Sequence, residues 1–500
     1  MVFLSNAISD SRLAEEGECE GEASEMVYST TVYGSRWSDQ PIPRFELPED
    51  EMPPQVAYKL IKDDLALDSK PTLNLASFVT TYMEEEAEKL MAENISKNFI
   101  DFEEYPMSVE IQNRCVNIIA RLFHAPVDNP SQEAMGVSTV GSSEAIMLAV
   151  LAMKRRWQEQ RRARGLSTDK PNLIMGSNVQ VCWEKACRYF DVEESYVYCS
   201  EGQYTLLPEK AVELVDENTI GICAVNDLLL AKKALTGVEI PIHVDAASGG
   251  FVAPFVKPDL LWDFRLPLVK SINVSGHKYG LCYPGIGWAI WRSSKYLPKD
   301  LVFNINYLGA DQASFTLNFS KGASHVIAQY YILIRLGRKG FTSIMGNITR
   351  HADRLAKMLE DTGRFEILSE RNGKGLPLVA FRFKHNEKMN YDERLTGTIF
   401  TKFDLATRLR ERGWVVPAYT MAPHAEHIKL LRVVLREDFT HVRCELLLKD
   451  IKMALSLLDK MDRSAIQTMR SASQRWTLLK HATLAFKGSK NKTEKTYGVC

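Results

Sequence analysis

From Pro106 the apolar positions Val109, Ile111, Val116, Ile119 and Leu122 recur at close to helical spacing, and the run closes at Pro126, which predicts a buried helix. The next segment, STVGSSEAIMLAVLAMKRRWQEQRRAR, places small residues before a long helix whose first half, Ile146 to Met153, is apolar and whose second half is basic and solvated. Beyond it, units of βαβ length follow: strand Asn172–Met175, helix around Gln180–Phe190, strand Ser195–Tyr198, helix Pro208–Val215, strand Ile220–Ala224, helix Asn226–Ala234 and strand Ile242–Val244. A further apolar strand carrying Leu268, Val269, Ile272 and Val274 runs into Ser275-Gly276-His277-Lys278, and a Gly-rich pair of strands is expected at Gly285–Trp291. Such alternation predicts an α/β protein with a mostly parallel sheet, helices on both faces and a ligand crevice beyond the carboxyl ends of the strands. A long helix from Ser324 to about Leu336 then leads to a smaller α+β half, with strands at Leu378–Phe383, Trp414–Tyr419 and Lys429–Arg436.

Composition narrows the partners. The 500 residues are 45% hydrophobic and 25% charged with a net charge of -1, which suits a soluble globular chain and argues against nucleic acid or an anionic membrane as partner. Nine cysteines without regular C-x-x-C spacing suggest reduced thiols, mostly small core residues, and neither a disulfide framework nor a metal site. No run approaches the roughly 20 apolar residues of a membrane span. Acids at Asp10, Glu15, Glu16 and Glu18 differ from a signal or transit peptide, so a cytoplasmic location is expected. Up to about Gln55 the chain mixes Ser, Glu, Gly and Pro without periodicity and reads as an arm.

Three features at strand or helix ends carry candidate chemistry. Thr139-Val140-Gly141-Ser142-Ser143-Glu144 places hydroxyls and free N–H groups at a helix N-terminus, an anion site that suits phosphate. It also reads as an ordinary cap, with Ser142 or Ser143 as the capping residue. Asp245 ends an apolar strand and is followed by small residues that let a flat group approach, or is a turn residue. Lys278 follows Gly276 and His277 at a strand end, where a cleft would favour the neutral, nucleophilic amine, although an isolated lysine is more often at the surface. Together the three meet the demands of a pyridoxal phosphate site: a phosphate cradle, a carboxylate for the pyridinium nitrogen and a Schiff-base lysine. Separately, Arg432 on the apolar strand Leu430–Val434 suits a carboxylate clamp, or lies on the solvent face of an edge strand.

The motifs LNLASFVTTYME, NFIDFEEYP, NRCVNIIARLFHAP, VGSSEAIML, NVQVCWEKACRYF, HVDAASGGF, WDFRLPLVKSINVSGHKYG, NFSKGASHVIAQYY and LRVVLRED, spread from about Leu73 to Leu458, resemble the plant glutamate decarboxylases of the pyridoxal phosphate-dependent group II family. The resemblance implies the aspartate aminotransferase type of fold, with a large, mostly parallel seven-stranded sheet domain and a smaller C-terminal α+β domain. It implies an arm over 1–56, a cofactor domain over 57–345, a small domain over 346–462 and a basic tail over 463–500. It places the cofactor on Lys278, the pyridinium carboxylate on Asp245 and phosphate contacts on Ser142, Ser143, Ser275 and His277. Ser320 matches a serine that reaches the phosphate of the neighbouring subunit, and Gln180 the residue that covers the cofactor ring. Ser77, Phe78, Asn98 and Asp101 match positions near the distal carboxylate of glutamate, and Arg432 the partner of the α-carboxylate.

The implied reaction is loss of the α-carboxylate of L-glutamate as carbon dioxide, reprotonation of the α-carbon by Lys278 or His277, and release of 4-aminobutyrate. Each turnover consumes a proton, which suggests a role against cytosolic acidification. Only Val225 stands between strand Thr219–Ala224 and helix Asn226–Leu235, where the family carries a longer segment; the alternative reading is therefore a catalytically impaired subunit that assembles with intact ones. From Arg470 to Cys500 seven Lys/Arg stand against one acid, with Trp476, Lys480 and Phe486 suiting a calcium–calmodulin groove, a use of the tail similar to that in plant members; the segment equally reads as a solvated, disordered tail. The family's assembly is at least a dimer and, among plant members, a hexamer.

Overall fold

The computed structural model describes residues 42–127, 129, 131–222, 239–305, 312–384 and 401–460. The helix expected at Asn226–Ala234, the shortened connection after Ala224 and the tail with Trp476, Lys480 and Phe486 lie outside the described residues. The chain divides into two units, Met1–Pro71 and Thr72–Cys500. In the first, helix α1 (Pro54–Leu65) opens on a proline, whose missing N–H costs nothing in a first turn.

The second unit is built on a seven-stranded sheet in the order β1-β7-β6-β5-β4-β2-β3. Its strands are β1 (Met135–Thr139), β2 (Asn172–Gly176), β3 (Glu193–Val197), β4 (Thr219–Ile222), β5 (Ile242–Asp245), β6 (Val269–Ser275) and β7 (Gly287–Trp291). All neighbours from β3 to β6 pair in parallel, and β7 alone runs against its two neighbours, β6 and β1. The single strand β7 replaces the pair expected at Gly285–Trp291. Every residue of β2, β6 and β7 is buried, as strands covered on both faces require. The period of two sorts them: along β7, Trp288 and Ile290 join one core, and Ala289 and Trp291 the other.

Helix α2 (Glu85–Glu93) precedes α3 (Pro106–Leu122), the helix expected from the apolar spacing; α3 packs against β1 and β7. The long helix α4 (Ser142–Ala163) lies over β7, β6 and β4, followed by α5 (Val181–Tyr189), α6 (Pro208–Glu213) and the short α7 (Ala253–Val256). Helix α8 (Ser324–Glu360) is broken at Gly337, whose φ of 55° and ψ of -174° no helix holds. The predicted end at Leu336 is that break; the helix then resumes and buries Phe341, Met345, Ile348, Ala352, Leu355 and Leu359 at three- and four-residue steps.

Beyond a two-stranded ribbon of β8 (Phe303–Ile305) and β9 (Gln312–Ser314), a smaller antiparallel sheet is ordered β10-β11-β13-β12. It is formed by β10 (Phe365–Ile367), β11 (Leu378–Phe383), β12 (Ala418–Thr420) and β13 (Lys429–Val434), with helices α9 (Thr401–Glu411) and α10 (His441–Lys460). The strand expected over Trp414–Tyr419 is confined to β12, since Pro417 has no N–H to give a ladder. Among the described residues no helix is long and apolar enough to cross a membrane, and no group of three or more His, Cys, Asp or Glu could hold a metal ion.

Candidate active site

The carboxyl ends of β1, β5 and β6 meet at one edge of the large sheet, because β7 starts where they finish: Gly287 pairs with both Thr139 and Ser275. The chain leaves β6 through Gly276 and turns back on itself, with the Cys282 N–H donating to the Gly276 carbonyl at 3.1 Å. Lys278 sits in this turn, half-buried, its Nζ 3.2 Å from the Ser248 hydroxyl and 5.6 Å from the centre of the Phe78 ring. The next residue fixes the turn: Tyr279 is buried and its hydroxyl donates to the carbonyl of Leu435 at 2.9 Å.

Asp245 ends β5 and is half-buried at the same edge. Its Oδ1 accepts from the Ala247 N–H and from Asn273 Nδ2, both at 3.0 Å, and its Oδ2 from the Trp183 indole at 2.9 Å. Three donors hold the carboxylate in one orientation. Ala247 and Ser248 join the two chemical groups: Ala247 donates to Asp245 and accepts from the Ser275 N–H at 3.1 Å, while Ser248 receives Lys278.

At the start of α4 the cap is Gly141, with no side-chain cap, so the reading of Ser142 or Ser143 as the capping residue is corrected. Ser143 is exposed and Ser142 instead hydrogen-bonds the hydroxyl of Ser275, across from β6. A Cβ on Gly287 would come within 2.5 Å of the Gly141 backbone, so glycine is what lets this loop lie on the sheet edge. The buried Nδ1 of His277 has no hydrogen-bond partner, and the ring's Cε1 lies 3.1 Å from where a Cβ of Gly141 would be. Burial, aided by the neighbouring Lys278 charge, pushes His277 down to about 4, so it is neutral near pH 7. The Ser142 and Ser275 hydroxyls, an unpartnered ring nitrogen and a helix N-terminus gather here, a donor set whose chemistry suits an anion.

Arg432 lies on β13, an interior strand, and is only 8% exposed, which corrects the edge-strand alternative. Its guanidinium carbon is 5.2 Å from the Phe78 ring and 5.6 Å from the Tyr419 ring, and Nη2 donates to the Ala76 carbonyl at 3.0 Å. Phe78, 4% exposed, therefore lies within reach of both Arg432 and Lys278, and Ser77 precedes it in the chain. Asn98 bridges to Gly322, the Asp101 N–H donates to the Asn98 carbonyl at 3.2 Å, and the Phe99 N–H donates to the Lys321 carbonyl at 2.7 Å, next to the exposed Ser320. Of the sequence-predicted substrate residues, Phe78 is placed against Lys278, and Asn98 and Asp101 lie on the segment joined to that of Ser320. Gln180 caps α5 by accepting from the Cys182 N–H at 2.6 Å.

Several residues that shape the site were invisible to sequence reasoning. Trp183 and Asn273 reach Asp245 from a helix and a neighbouring strand. Lys321 is half-buried, donates to the Ser138 carbonyl at 2.8 Å and is pushed down to about 8 by desolvation; Glu144 accepts from the N–H groups of Val140 and Leu317. Only the position of Lys321 beside Ser320 in one motif marked it in the sequence.

Residues 48–384 match the family model described as the pyridoxal-dependent decarboxylase conserved domain. A glutamate decarboxylase of Petunia hybrida is 54% identical over 446 residues, 86% of each chain, and glutamate decarboxylase 1 of Arabidopsis thaliana is 51% identical over 480 residues, 93% of this chain and 90% of that one. Among solved structures, the Lactobacillus brevis glutamate decarboxylase superposes with a TM-score of 0.80 at 39% identity, covering 86% of this chain and 98% of the other. A Catharanthus roseus tryptophan decarboxylase at 18% identity, covering 84% and 90%, shares the fold with a TM-score of 0.65. The phosphate cradle, the carboxylate and the lysine agree with the cofactor this match implies, pyridoxal 5′-phosphate. The chain belongs to the pyridoxal-dependent decarboxylase family.

Proposed function

We propose that the chain decarboxylates L-glutamate to 4-aminobutyrate and carbon dioxide, with pyridoxal phosphate carried by Lys278. The observation behind this reading is the Ala247–Ser248 segment, which ties the Asp245 carboxylate and the Lys278 amine into one unit at the sheet edge. Pyridoxal phosphate supplies the electron sink that takes up the pair left by the departing carboxylate. Asp245 would pair with the pyridinium nitrogen, Gln180 would cover the ring, and Ser142, Ser143, Ser275 and His277 would hold the phosphate. Arg432 would clamp the α-carboxylate, its approach limited by Phe78 and Tyr419, so that the bond to be cleaved has a fixed direction. The Lys278 amine or the His277 ring would return a proton to the α-carbon.

Asn98 and Asp101, assigned with Ser77 to the distal carboxylate, are fastened to the segment that carries Ser320. If Ser320 reaches the neighbouring subunit, these two travel with it, and the working unit is at least a homodimer, with a plant-type hexamer as the larger assembly. The basic tail is assigned to calcium–calmodulin through Trp476, Lys480 and Phe486, and the location to the cytoplasm. Nothing among the comparisons favours the impaired-subunit alternative: relatives above half identity bear the name glutamate decarboxylase. Release of labelled carbon dioxide from 1-labelled glutamate tests the proposal. It should depend on added pyridoxal phosphate and vanish in Lys278→Ala; release that persists in that variant would refute the assignment.

A further inference from the structure

Behind Asp245 lies a chain of polar side chains sealed from solvent. Strands β5 and β6 run in parallel with His243 opposite Ser271 and Asp245 opposite Asn273, so the two-residue period puts all four on one face. His243, Ser271, Asn273 and Trp183 are 1%, 3%, 0% and 1% exposed. The hydrogen bonds admit one direction. An ionised carboxylate only accepts, so Asn273 Nδ2 donates to Asp245 at 3.0 Å. This turns the Asn273 carbonyl oxygen to His243 Nε2, 2.8 Å away, which must carry the proton; Nδ1 then accepts from the Ser271 hydroxyl at 2.7 Å. Burial favours the neutral ring, pushing His243 down to about 4, and the Trp183 ring meets it edge-on at 5.5 Å while its N–H binds Asp245.

We propose that His243 is a positioning residue for the pyridinium nitrogen, acting through Asn273 to keep the Asp245 carboxylate oriented. The inference rests on the assignment of Asp245 to that nitrogen. A ring donor at Nε2 locks the Asn273 amide with its NH2 toward Asp245. Without that donor the amide can rotate and present its oxygen to the carboxylate, which removes one of the three donors that orient it. His243 touches neither the cofactor cradle nor Lys278; its effect passes through one amide.

The test reads cofactor binding, not decarboxylation, so that its failure is separable from that of the proposed reaction. In His243→Phe an aromatic ring facing Trp183 is kept and both nitrogens are lost. The dissociation constant for pyridoxal phosphate should rise about tenfold, the scale of one hydrogen bond to a charged group, and the visible absorbance band of the bound cofactor should shrink. Ser271→Ala, which leaves the ring in place and frees its tautomer, should shift both readouts in the same direction by a smaller factor. Asp245→Asn checks the underlying assignment and should exceed both. Parental affinity and spectrum in His243→Phe, or in Ser271→Ala should the first variant not fold, would overturn the proposal.

Discussion

The backbone N–H of Thr80 donates to the carbonyl of His277 at 3.1 Å, fastening the loop from Asn74 to Thr81 to the residue before Lys278. The same loop is held from the far end of β13. The Glu437 carboxylate accepts the Thr80 hydroxyl and, at 3.1 Å, the Thr81 N–H. Arg436, 2% exposed, donates to the carbonyls of Asn74 at 2.6 Å and Ser77 at 3.0 Å. Ser77 and Phe78 therefore owe their places to residues more than 350 positions away along the chain.

Glu437→Ala leaves the Thr81 N–H and the Thr80 hydroxyl without their acceptor, a loss of about 1–3 kcal/mol at this loop. The expected outcome is a fall of about tenfold in kcat/KM for glutamate, mostly as a higher KM, with the affinity for pyridoxal phosphate little changed. Steady-state kinetics beside a cofactor titration check it.

Arg432→Lys keeps the charge but loses the planar fork that lies between Phe78 and Tyr419. KM for glutamate should rise about 10- to 100-fold, more than the unfolding midpoint would suggest, and the bound-cofactor spectrum without substrate should be unchanged. A KM within twofold of the parent would remove Arg432 from the substrate site.

Gly287→Ala drives a methyl group to within 2.5 Å of the Gly141 backbone. Neither partner is a flexible side chain, so the cradle must shift, at about 1–3 kcal/mol. Cofactor affinity should fall at least about tenfold, measured by fluorescence titration of the cofactor-free protein.

His243 and His277 give the stability a definite acid dependence. Burial is the chief cause that pushes each down to about 4 in the folded protein, against an ordinary 6.5 for histidine. Their contribution is complete above pH 6.5 and is lost as pH falls from there through about 4, because the unfolded chain takes up the protons first. Each is worth at most about 1.4 kcal/mol per pH unit inside that window. Urea unfolding of the cofactor-free protein at pH 7 and pH 5 should show the loss, and His277→Gln should lessen it.

The parts of the site that could be read from the sequence are those set by local pattern. Asp245 and Lys278 stand at the ends of apolar strands, and Ser142 and Ser143 at the start of a long amphipathic helix, so strand–helix alternation alone places them on one edge. The break at Gly337 was legible as a helix end for the same reason, but its resumption was not, because a glycine with φ of 55° reads as a terminus. What register and packing decide was hidden. Asn273 reaches Asp245 because β5 and β6 pair in one register, and Trp183 because the first turn of α5 carries its indole N–H to that carboxylate. Pro417 shortened a strand that hydrophobicity alone extended, and Gly141 took the cap expected of a serine because Ser142 faces Ser275.

The central claim is that one edge of the large sheet binds pyridoxal phosphate at Lys278 and presents it to glutamate. Its most direct measurement is the absorbance spectrum of the purified protein with pyridoxal phosphate, recorded before and after L-glutamate is added, with 4-aminobutyrate assayed in the same sample. The account predicts a visible cofactor band that changes on addition of glutamate, 4-aminobutyrate accumulating in step, and neither signal in Lys278→Ala. A parental protein that shows no such band, or a band indifferent to glutamate with no 4-aminobutyrate formed, would contradict it.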